Sequence, residues 1–244
     1  MIDVILIHGL SGSAKDMQYI SDAMSKEGYR VTNISLPGHG TKPQDLLKTK
    51  MNDWINAVEL SINSSKNGVF IIGQSMGALL ALHYTAIHQE NIKGVVLLSP
   101  AIKLCGLLNR SIITFLYLWA TFLPLPALYY TKSNGADIAD PQAKKNYCAY
   151  NKIPLNALAE FERLRRMTIK KLHLITVPVL MIYSTGDHTV CNDSIEIIDK
   201  NIRSTIKRKT VLKGSFHVIS VDIDKDRVVD AILEFLRFIV TGVK

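Results

Sequence analysis

Cysteine is scarce in this sequence, which contains only Cys105, Cys148 and Cys191 among its 244 residues. Three cysteines cannot all pair within one chain, and none of them shows the C-x-x-C spacing of metal and redox sites. Histidine, cysteine and aspartate also form no cluster with the spacing of metal ligands. The scarcity argues against a disulfide scaffold, predicts no metal site and favours a reduced, intracellular setting.

An export signal, a nucleic-acid-binding stripe and a cofactor motif are also missing. The chain begins Met1-Ile2-Asp3, with an acidic residue where a signal peptide has its basic region, so we expect a cytoplasmic protein. The net charge of +8 comes from scattered basic residues without interleaved aromatic residues, which does not predict a nucleic-acid partner. No phosphate-binding loop or dinucleotide fingerprint is present, and we expect no cofactor. Nothing in the sequence indicates an oligomeric state.

The segment Gly68–Ile87 combines a short apolar strand, a glycine-flanked serine and a helix. Ser75 lies at the centre of a G-x-S-x-G motif, in which Gly73 and Gly77 allow a turn too tight for side chains. Such a turn raises the serine hydroxyl out of the sheet at the N-terminus of the helix, where backbone N–H groups favour an oxyanion. We interpret Ser75 as a nucleophile; the alternative is a glycine-rich turn with an incidental serine.

Aliphatic runs and helical patterns alternate along most of the chain, which predicts repeated strand–helix units. Because the strands are apolar throughout, the pattern indicates an α/β fold with a mostly parallel central sheet and helices on both faces. The alternation stops between 101 and 171, where we expect an inserted segment. The predicted strands lie at 2–7, 31–36, 69–72, 94–98, 177–183 and 207–212.

A serine nucleophile needs a base to accept its proton, and the base needs an acid to hold its tautomer. Parallel strands end at one edge of the sheet, where Asp187 follows the strand at 177–183 and His217 follows the strand at 207–212. The order Ser75, Asp187, His217 is the one expected for a serine elbow. We predict a catalytic triad; the alternatives are a turn aspartate and a surface loop histidine.

Two backbone N–H groups are predicted to bind an oxyanion. One belongs to Met76, the residue after the nucleophile, and the other to Leu10 in the glycine loop after the first strand. His8 and His39 lie near the same sheet edge, in glycine loops where a ring is expected to order the backbone. His39 is also a candidate for the lining of the substrate pocket.

Five motifs in a fixed order carry a resemblance to a known superfamily. The chain resembles the α/β-hydrolases, and among them the small bacterial carboxylesterases and monoacylglycerol-lipase-like serine hydrolases. The resemblance implies the α/β-hydrolase fold, reduced at the N-terminus because strands that relatives carry ahead of the His-Gly strand are missing. The motifs are His8-Gly9-Leu10-Ser11-Gly12, Leu36-Pro37-Gly38-His39-Gly40, Gly73-Gln74-Ser75-Met76-Gly77, Gly186-Asp187-His188-Thr189-Val190 and Ser215-Phe216-His217-Val218-Ile219.

The resemblance also implies that residues 101–171 form a helical cap, inserted into a core of residues 1–100 and 172–244. We interpret the apolar run Ile112–Leu128 as a cap helix and loop that shield an apolar acyl-binding pocket. The candidate pocket residues in this run are Phe115, Trp119 and Phe122.

Two alternatives remain for the same apolar run. One is transient contact of the cap with a membrane surface, and the other is a membrane span, which Pro124 and Pro126 oppose.

A second cap helix is expected over Asn156–Met167. Its basic residues, Arg163, Arg165 and Arg166, are interpreted as a solvated outer face, with contact to an anionic substrate as the alternative.

These features predict a serine hydrolase that cleaves carboxylic esters of short or medium acyl chains, monoacylglycerols included, through an acyl-enzyme. Its partner is then a small-molecule ester. One alternative keeps the triad and changes the bond to a thioester or to a peptide with a small N-terminal residue. Another is a non-catalytic binding protein on a hydrolase scaffold, which is disfavoured because every catalytic position is filled.

Overall fold

A six-stranded sheet with the order β2-β1-β3-β4-β7-β8 forms the centre of the protein. The computed structural model describes residues 2–65, 68–123, 127–132 and 135–242, and of residues 107–110 and 121 the backbone alone. Every pair of neighbouring strands in this sheet is parallel, which confirms the predicted sheet. Its strands are β1 (Asp3–Ile7), β2 (Arg30–Ile34), β3 (Val69–Gln74), β4 (Ile92–Leu98), β7 (Val179–Ser184) and β8 (Lys207–Leu212).

Helices cover both faces of the sheet, as the apolar strands predicted. On one face, the side chains of Ile5 and Ile71 pack in a cluster with Trp54. On the other face, Leu6 and Phe70 pack in a second cluster with residues of the first and last helices. The helices are α1 (Gln18–Lys26), α2 (Pro43–Leu46), α3 (Met51–Asn63), α4 (Met76–Thr85), α5 (Leu107–Phe122), α6 (Pro141–Asn146), α7 (Leu155–Lys171), α8 (Asp193–Asn201) and α9 (Lys225–Thr241).

Strand position explains why two strands differ from the expected continuous apolar pattern. β1 and β3 are buried along their whole length. The edge strands β2 and β8 instead alternate between more and less exposed side chains, because only one of their edges and one face are covered. The centre of the sheet is therefore the rigid part of the fold, and it carries the serine elbow.

The chain between β4 and β7 forms a separate layer of α5, α6 and α7 with a small antiparallel hairpin. The hairpin pairs β5 (Tyr129–Thr131) with β6 (Lys152–Pro154). Helix α5 begins at Leu107, five residues before the predicted start at Ile112. Pro124 and Pro126 lie outside the described residues. None of the helices in the described ranges combines the length and the hydropathy needed to cross a membrane.

The arginines of α7 correct the expectation of a solvated basic face. Glu162 is 1% exposed, and its carboxylate accepts hydrogen bonds from Arg165 (2.6 and 2.7 Å) and Arg166 (2.7 Å). Arg165 also donates to the backbone oxygen of Ile102 (2.6 Å) at the end of the core segment. A buried carboxylate requires such pairing, which here lies within α7, while the bond from Arg165 to Ile102 joins this helix to the chain after β4. The side chains of Arg163 and Arg166 are 38% and 39% exposed and still reach solvent, so Arg165, at 20%, departs most from the expectation.

Candidate active site

The turn between β3 and α4 places Ser75 in a conformation that side chains rarely adopt. Its φ is +56° and its ψ is −109°. A Cβ atom added to Gly73 would lie 2.2 Å from the backbone oxygen of Gly77, and one added to Gly77 would lie 2.1 Å from that of Ile7. Only glycine fits at either position, because these approaches are with backbone atoms that cannot move aside. The predicted elbow glycines therefore have a direct steric reason.

A chain of two hydrogen bonds connects Ser75, His217 and Asp187. The Oγ of Ser75 lies 2.9 Å from Nε2 of His217, and Nδ1 of His217 lies 2.8 Å from Oδ2 of Asp187. A carboxylate only accepts hydrogen bonds, so Nδ1 carries the proton and Nε2 is free to accept one from the serine. The structure thus brings together the three residues predicted as nucleophile, base and acid.

The orientation of Asp187 is fixed by its own loop. Its Oδ1 accepts hydrogen bonds from the backbone N–H groups of Thr189 and Val190, both at 2.8 Å. Its Oδ2 is thereby directed to His217, and its side chain is only 3% exposed. These two backbone donors fix the acid that sequence reasoning located from the Gly-Asp-x-x-Val pattern.

Asp137, in the layer above the sheet, was not found by sequence reasoning. Its backbone oxygen accepts hydrogen bonds from the N–H groups of His217 (3.0 Å) and Val218 (3.2 Å). Its carboxylate accepts from the N–H of His188 (3.0 Å) and the hydroxyl of Thr189 (3.0 Å). One residue therefore ties the loop of the acid to the loop of the base, and no local sequence pattern marks it.

The loop of His217 has two further supports. The side chain of Gln74 donates to the backbone oxygen of His217 (3.0 Å). Asp222, which is 1% exposed, accepts from the N–H groups of Phe216 (2.8 Å) and Ala139 (2.9 Å). A carboxylate that accepts several backbone N–H groups makes a loop rigid. The signal that sequence reasoning passed over is Asp222 itself, an acidic residue five positions after the predicted base.

The two amides predicted to bind an oxyanion have no acceptor within the described part of the chain. The N–H of Met76 is at the first position of α4, where helix geometry leaves it without an intrahelical partner. The N–H of Leu10 follows Gly9, whose added Cβ would lie 3.2 Å from that of Ser75. Ser11 holds the loop in a left-handed conformation with φ +64°. Both amides are therefore available to a ligand close to the serine.

His8 and His39 are buried and order the backbone. Nδ1 of His8 donates to the oxygen of Gly9 (2.9 Å), and its Nε2 accepts from the N–H of Leu36 (3.1 Å). Nδ1 of His39 donates to the oxygen of Pro37 (3.0 Å), and its ring lies 5.9 Å from that of Trp54. This corrects the expectation that His39 lines the pocket, since its ring is enclosed between His8 and Trp54.

Three buried histidines make the protein sensitive to acid. Burial lowers the pKa of His8 to about 3 and those of His39 and His83 to about 4. The unfolded chain takes up protons near pH 6.5, where these residues stay neutral in the folded state, so stability is fully present above that pH and decreases below it. We expect the free energy of unfolding to fall by up to about 4 kcal/mol per pH unit toward pH 5.

Urea unfolding at pH 8, 6.5 and 5 measures this loss. His83→Leu is a suitable control, because Nδ1 of His83 has no hydrogen-bond partner among the described residues and the ring lies in α4, behind the serine. This variant should reduce the pH dependence by about one third. A free energy of unfolding that stays constant between pH 6.5 and 5 would contradict the prediction.

A cavity of about 590 Å³ opens above Ser75 and His217. Part of its wall comes from the layer between β4 and β7. The apolar residues of this part belong mainly to α5 and α7. Those of the two helices are Ile112, Ile113, Leu158 and Phe161. The cavity thus has the covered, partly apolar character that the sequence predicted.

The aromatic residues expected to line this cavity face away from it. Phe115 is 58% exposed, Trp119 43% and Phe122 82%, and none of them contributes to the cavity wall. They recur at helical spacing on one side of α5, while Leu116 on another side is buried. The prediction was wrong because packing against α7 sets the rotation of α5. The spacing of the aromatic residues alone does not set it.

Two cysteines meet at the base of this layer. Leu104 and Val190 form an antiparallel bridge, beside which Sγ of Cys105 lies 2.7 Å from Sγ of Cys191. Both are free thiols, as is the exposed Cys148.

The residues described in the structure contain no group of three or more histidine, cysteine or acidic side chains able to hold a metal ion.

Comparisons with known proteins agree with this geometry. The family model described as serine aminopeptidase, S33, matches residues 3–224. The chain is 33% identical to the thermostable monoacylglycerol lipase of Bacillus sp. (strain H-257) over 241 residues, which cover 96% of this chain and 90% of that protein. It is 24% identical to the carboxylesterase of Bacillus subtilis (strain 168) over 242 residues, which cover 96% and 92%. A solved structure from work on the lipolytic enzymes LipS and LipT, both of metagenomic origin, has a TM-score of 0.86 at 26% identity and covers 97% and 93%.

Proposed function

The chain belongs to the serine aminopeptidase S33 family of α/β-hydrolases, and we propose that within this family it is a serine hydrolase of carboxylic esters. The observation that carries the proposal is the hydrogen-bonded chain of Ser75, His217 and Asp187 at the floor of a partly apolar cavity. The similarity to a monoacylglycerol lipase and to a carboxylesterase supports an ester as the substrate. A non-catalytic binding role is disfavoured, because all three groups lie within hydrogen-bonding distance.

The proposed reaction proceeds through an acyl-enzyme. Nε2 of His217 takes the proton of Ser75 as Oγ attacks the ester carbon, and the amides of Leu10 and Met76 bind the oxyanion. Asp187 stabilises the imidazolium. When the carbon–oxygen bond breaks, His217 gives its proton to the departing alcohol, and the acyl group stays on Ser75. Water then repeats the sequence, releasing the carboxylic acid and restoring the serine.

The inserted layer is proposed to act as the cap of this site. Its apolar wall, formed by residues such as Ile113 and Phe161, suits an acyl chain of short or medium length. The outward aromatic side chains of α5 are proposed to contact a lipid surface, because Trp119 and Phe122 are exposed beside other apolar residues. Contact of this kind would bring the cavity close to esters that partition into lipid.

A substrate series tests the bond and the acyl group together. The purified protein is given p-nitrophenyl esters of increasing acyl length, an acyl-CoA thioester and an aminoacyl arylamide, with and without lipid vesicles. Each buried methylene contributes about 0.8 kcal/mol, so kcat/KM should rise about ten-fold from acetate to butyrate. The thioester and the arylamide should be hydrolysed more slowly than the best ester.

Two variants of α5 sharpen this experiment. Ile113→Ala removes part of the cavity wall and should weaken the preference for longer acyl chains. Phe115→Ala, on the exposed side of the same helix, should leave that preference unchanged in solution. Faster hydrolysis of the thioester or the arylamide would show that an ester is not the preferred substrate. Failure of a fluorophosphonate probe to label Ser75 would contradict any catalytic role of this serine.

A further inference from the structure

The cavity has a polar wall that the ester chemistry does not use. It comes from Asp16 and from the part of the cap between α5 and α7. Hydroxyl and charged groups are concentrated there, whereas α5 and α7 supply apolar side chains. The residues of this wall are Asp16, Tyr130, Lys132, Asp137, Lys144 and Tyr147. With the acyl chain on the apolar wall, the polar wall is left for the alcohol part of the ester.

Lys132 places an ammonium group next to the oxyanion loop. Its Nζ donates a hydrogen bond to Oγ of Ser11 (2.9 Å), the residue after Leu10. The backbone N–H of Lys132 donates to the oxygen of Asn151 (2.9 Å), which anchors the residue at the end of the hairpin. An ammonium has three N–H donors, and the hydrogen bond to Ser11 uses one of them. Within the described ranges no other acceptor takes up the remaining donors, which can therefore reach a molecule in the cavity.

The nearby carboxylates do not pair with this ammonium. Oδ2 of Asp16 accepts from the hydroxyl of Tyr147 (2.6 Å), and the two oxygens of Asp137 accept from His188 (2.9 and 3.0 Å). Among the described residues, no carboxylate oxygen lies within 4.0 Å of Nζ of Lys132. Burial lowers the pKa of Lys132, and the charges of Asp16 and Asp137 only partly oppose that effect. Burial also raises the pKa of the Asp16 carboxyl, and the hydrogen bond from Tyr147 opposes that effect.

We infer that the cavity selects esters whose alcohol part carries an anionic group, a phosphate or a carboxylate, and that the ammonium of Lys132 is the partner of that group. The inference rests on the proposed ester hydrolysis and names a substrate class within it. In the described part of the chain the ammonium of Lys132 forms no ion pair, and an anionic ligand would give its free donors a charged acceptor at short range. A neutral diol such as glycerol would accept hydrogen bonds from Lys132 without the charge that strengthens them.

Three esters with the same acyl chain test this selection. They are 1-decanoylglycerol, 1-decanoylglycerol 3-phosphate and decanoyl glycolate, used below the concentrations at which they aggregate. Charge-assisted hydrogen bonds correspond to roughly a 10- to 100-fold effect, so kcat/KM should be at least about ten-fold higher for one anionic ester than for the neutral one. The two anionic esters distinguish phosphate from carboxylate as the preferred group.

The variant Lys132→Met should lower the ratio of kcat/KM between the preferred anionic ester and the neutral ester by about ten-fold or more. Lys132→Arg keeps the charge and should retain most of the ratio. Lys145→Met, on exposed α6, is the matched control and should leave both the ratio and the hydrolysis of the neutral ester unchanged. For the wild type, added NaCl should reduce the ratio, which tests the charge without any substitution.

Two outcomes would overturn the inference. One is a wild-type ratio near or below one, with normal hydrolysis of the neutral ester, which would leave the proposed function intact. The other is an equal loss on all three esters in Lys132→Met, because that result assigns Lys132 only to holding the Ser11 loop. Absence of hydrolysis of every ester, p-nitrophenyl butyrate included, would instead contradict the proposed function.

Discussion

Ser75→Ala is expected to lower kcat for p-nitrophenyl butyrate by roughly 10⁵- to 10⁶-fold while the protein remains folded. The hydroxyl is the proposed nucleophile, and it donates its hydrogen bond to Nε2 of His217 at 2.9 Å. Residual activity would come from the oxyanion amides and from binding alone. Steady-state kinetics of the purified variant and its urea unfolding curve measure the two quantities separately.

Ser75→Gly is the matched control for the backbone. Both variants lack the nucleophile, but glycine also removes the Cβ that makes φ +56° unfavourable. We expect the glycine variant to be about as inactive as the alanine variant and more stable by about 1 kcal/mol. Retention of more than a few per cent of activity in either variant would exclude Ser75 as the nucleophile.

Asp187→Asn is expected to lower kcat by about 10⁴-fold with little change in stability. The reason lies in the hydrogen bonds of the loop. Oδ1 accepts from the N–H groups of Thr189 and Val190, so the oxygen of the new amide will stay there. The NH₂ group then faces Nδ1 of His217 and donates to it, which moves the imidazole proton to Nε2. A protonated Nε2 cannot accept the proton of Ser75.

Kinetics over a range of pH, together with NMR of the imidazole nitrogens, check this explanation. The tautomer with the proton on Nε2 should be the main form in the variant. Asp193→Asn serves as the control, because Asp193 is exposed and pairs with Lys103 away from the triad. A loss of less than about ten-fold in Asp187→Asn would show that another group holds His217.

The sequence predicted the parts of this protein that depend on neighbouring residues. The apolar runs of the central strands and the glycines around Ser75 act locally, through burial and through contacts that leave no room for a Cβ. The chain order of Asp187 and His217 then followed from the rule that parallel strands end at one edge. The edge strand β8 was located correctly, although its alternating exposure differs from the continuous burial that was expected.

The layer between β4 and β7 shows where prediction from sequence failed. The pattern of α5 suggested that Phe115 and Trp119 face the serine, but a helix with apolar residues on several sides has no single face that its sequence selects. The arginines of α7 were interpreted as solvated although Glu162 precedes Arg165 and Arg166 by three and four positions, a spacing that allows pairing on one helix. The burial of Glu162, which makes that pairing necessary, depends on where the helix lies on the core. Each error concerns rotation and contact, which are set by packing.

The sequence by itself determined the six strands of the central sheet, the elbow at Ser75 and the identity of the residues that can serve as base and acid. These depend on periodicity and on backbone sterics within a few residues. The tertiary structure alone decided that Asp137 joins the loops of Asp187 and His217, and that Lys132 reaches Ser11 with no carboxylate partner among the described residues. Such contacts join residues far apart in the chain, and only the packing of the layer between β4 and β7 on the rest of the molecule brings them together.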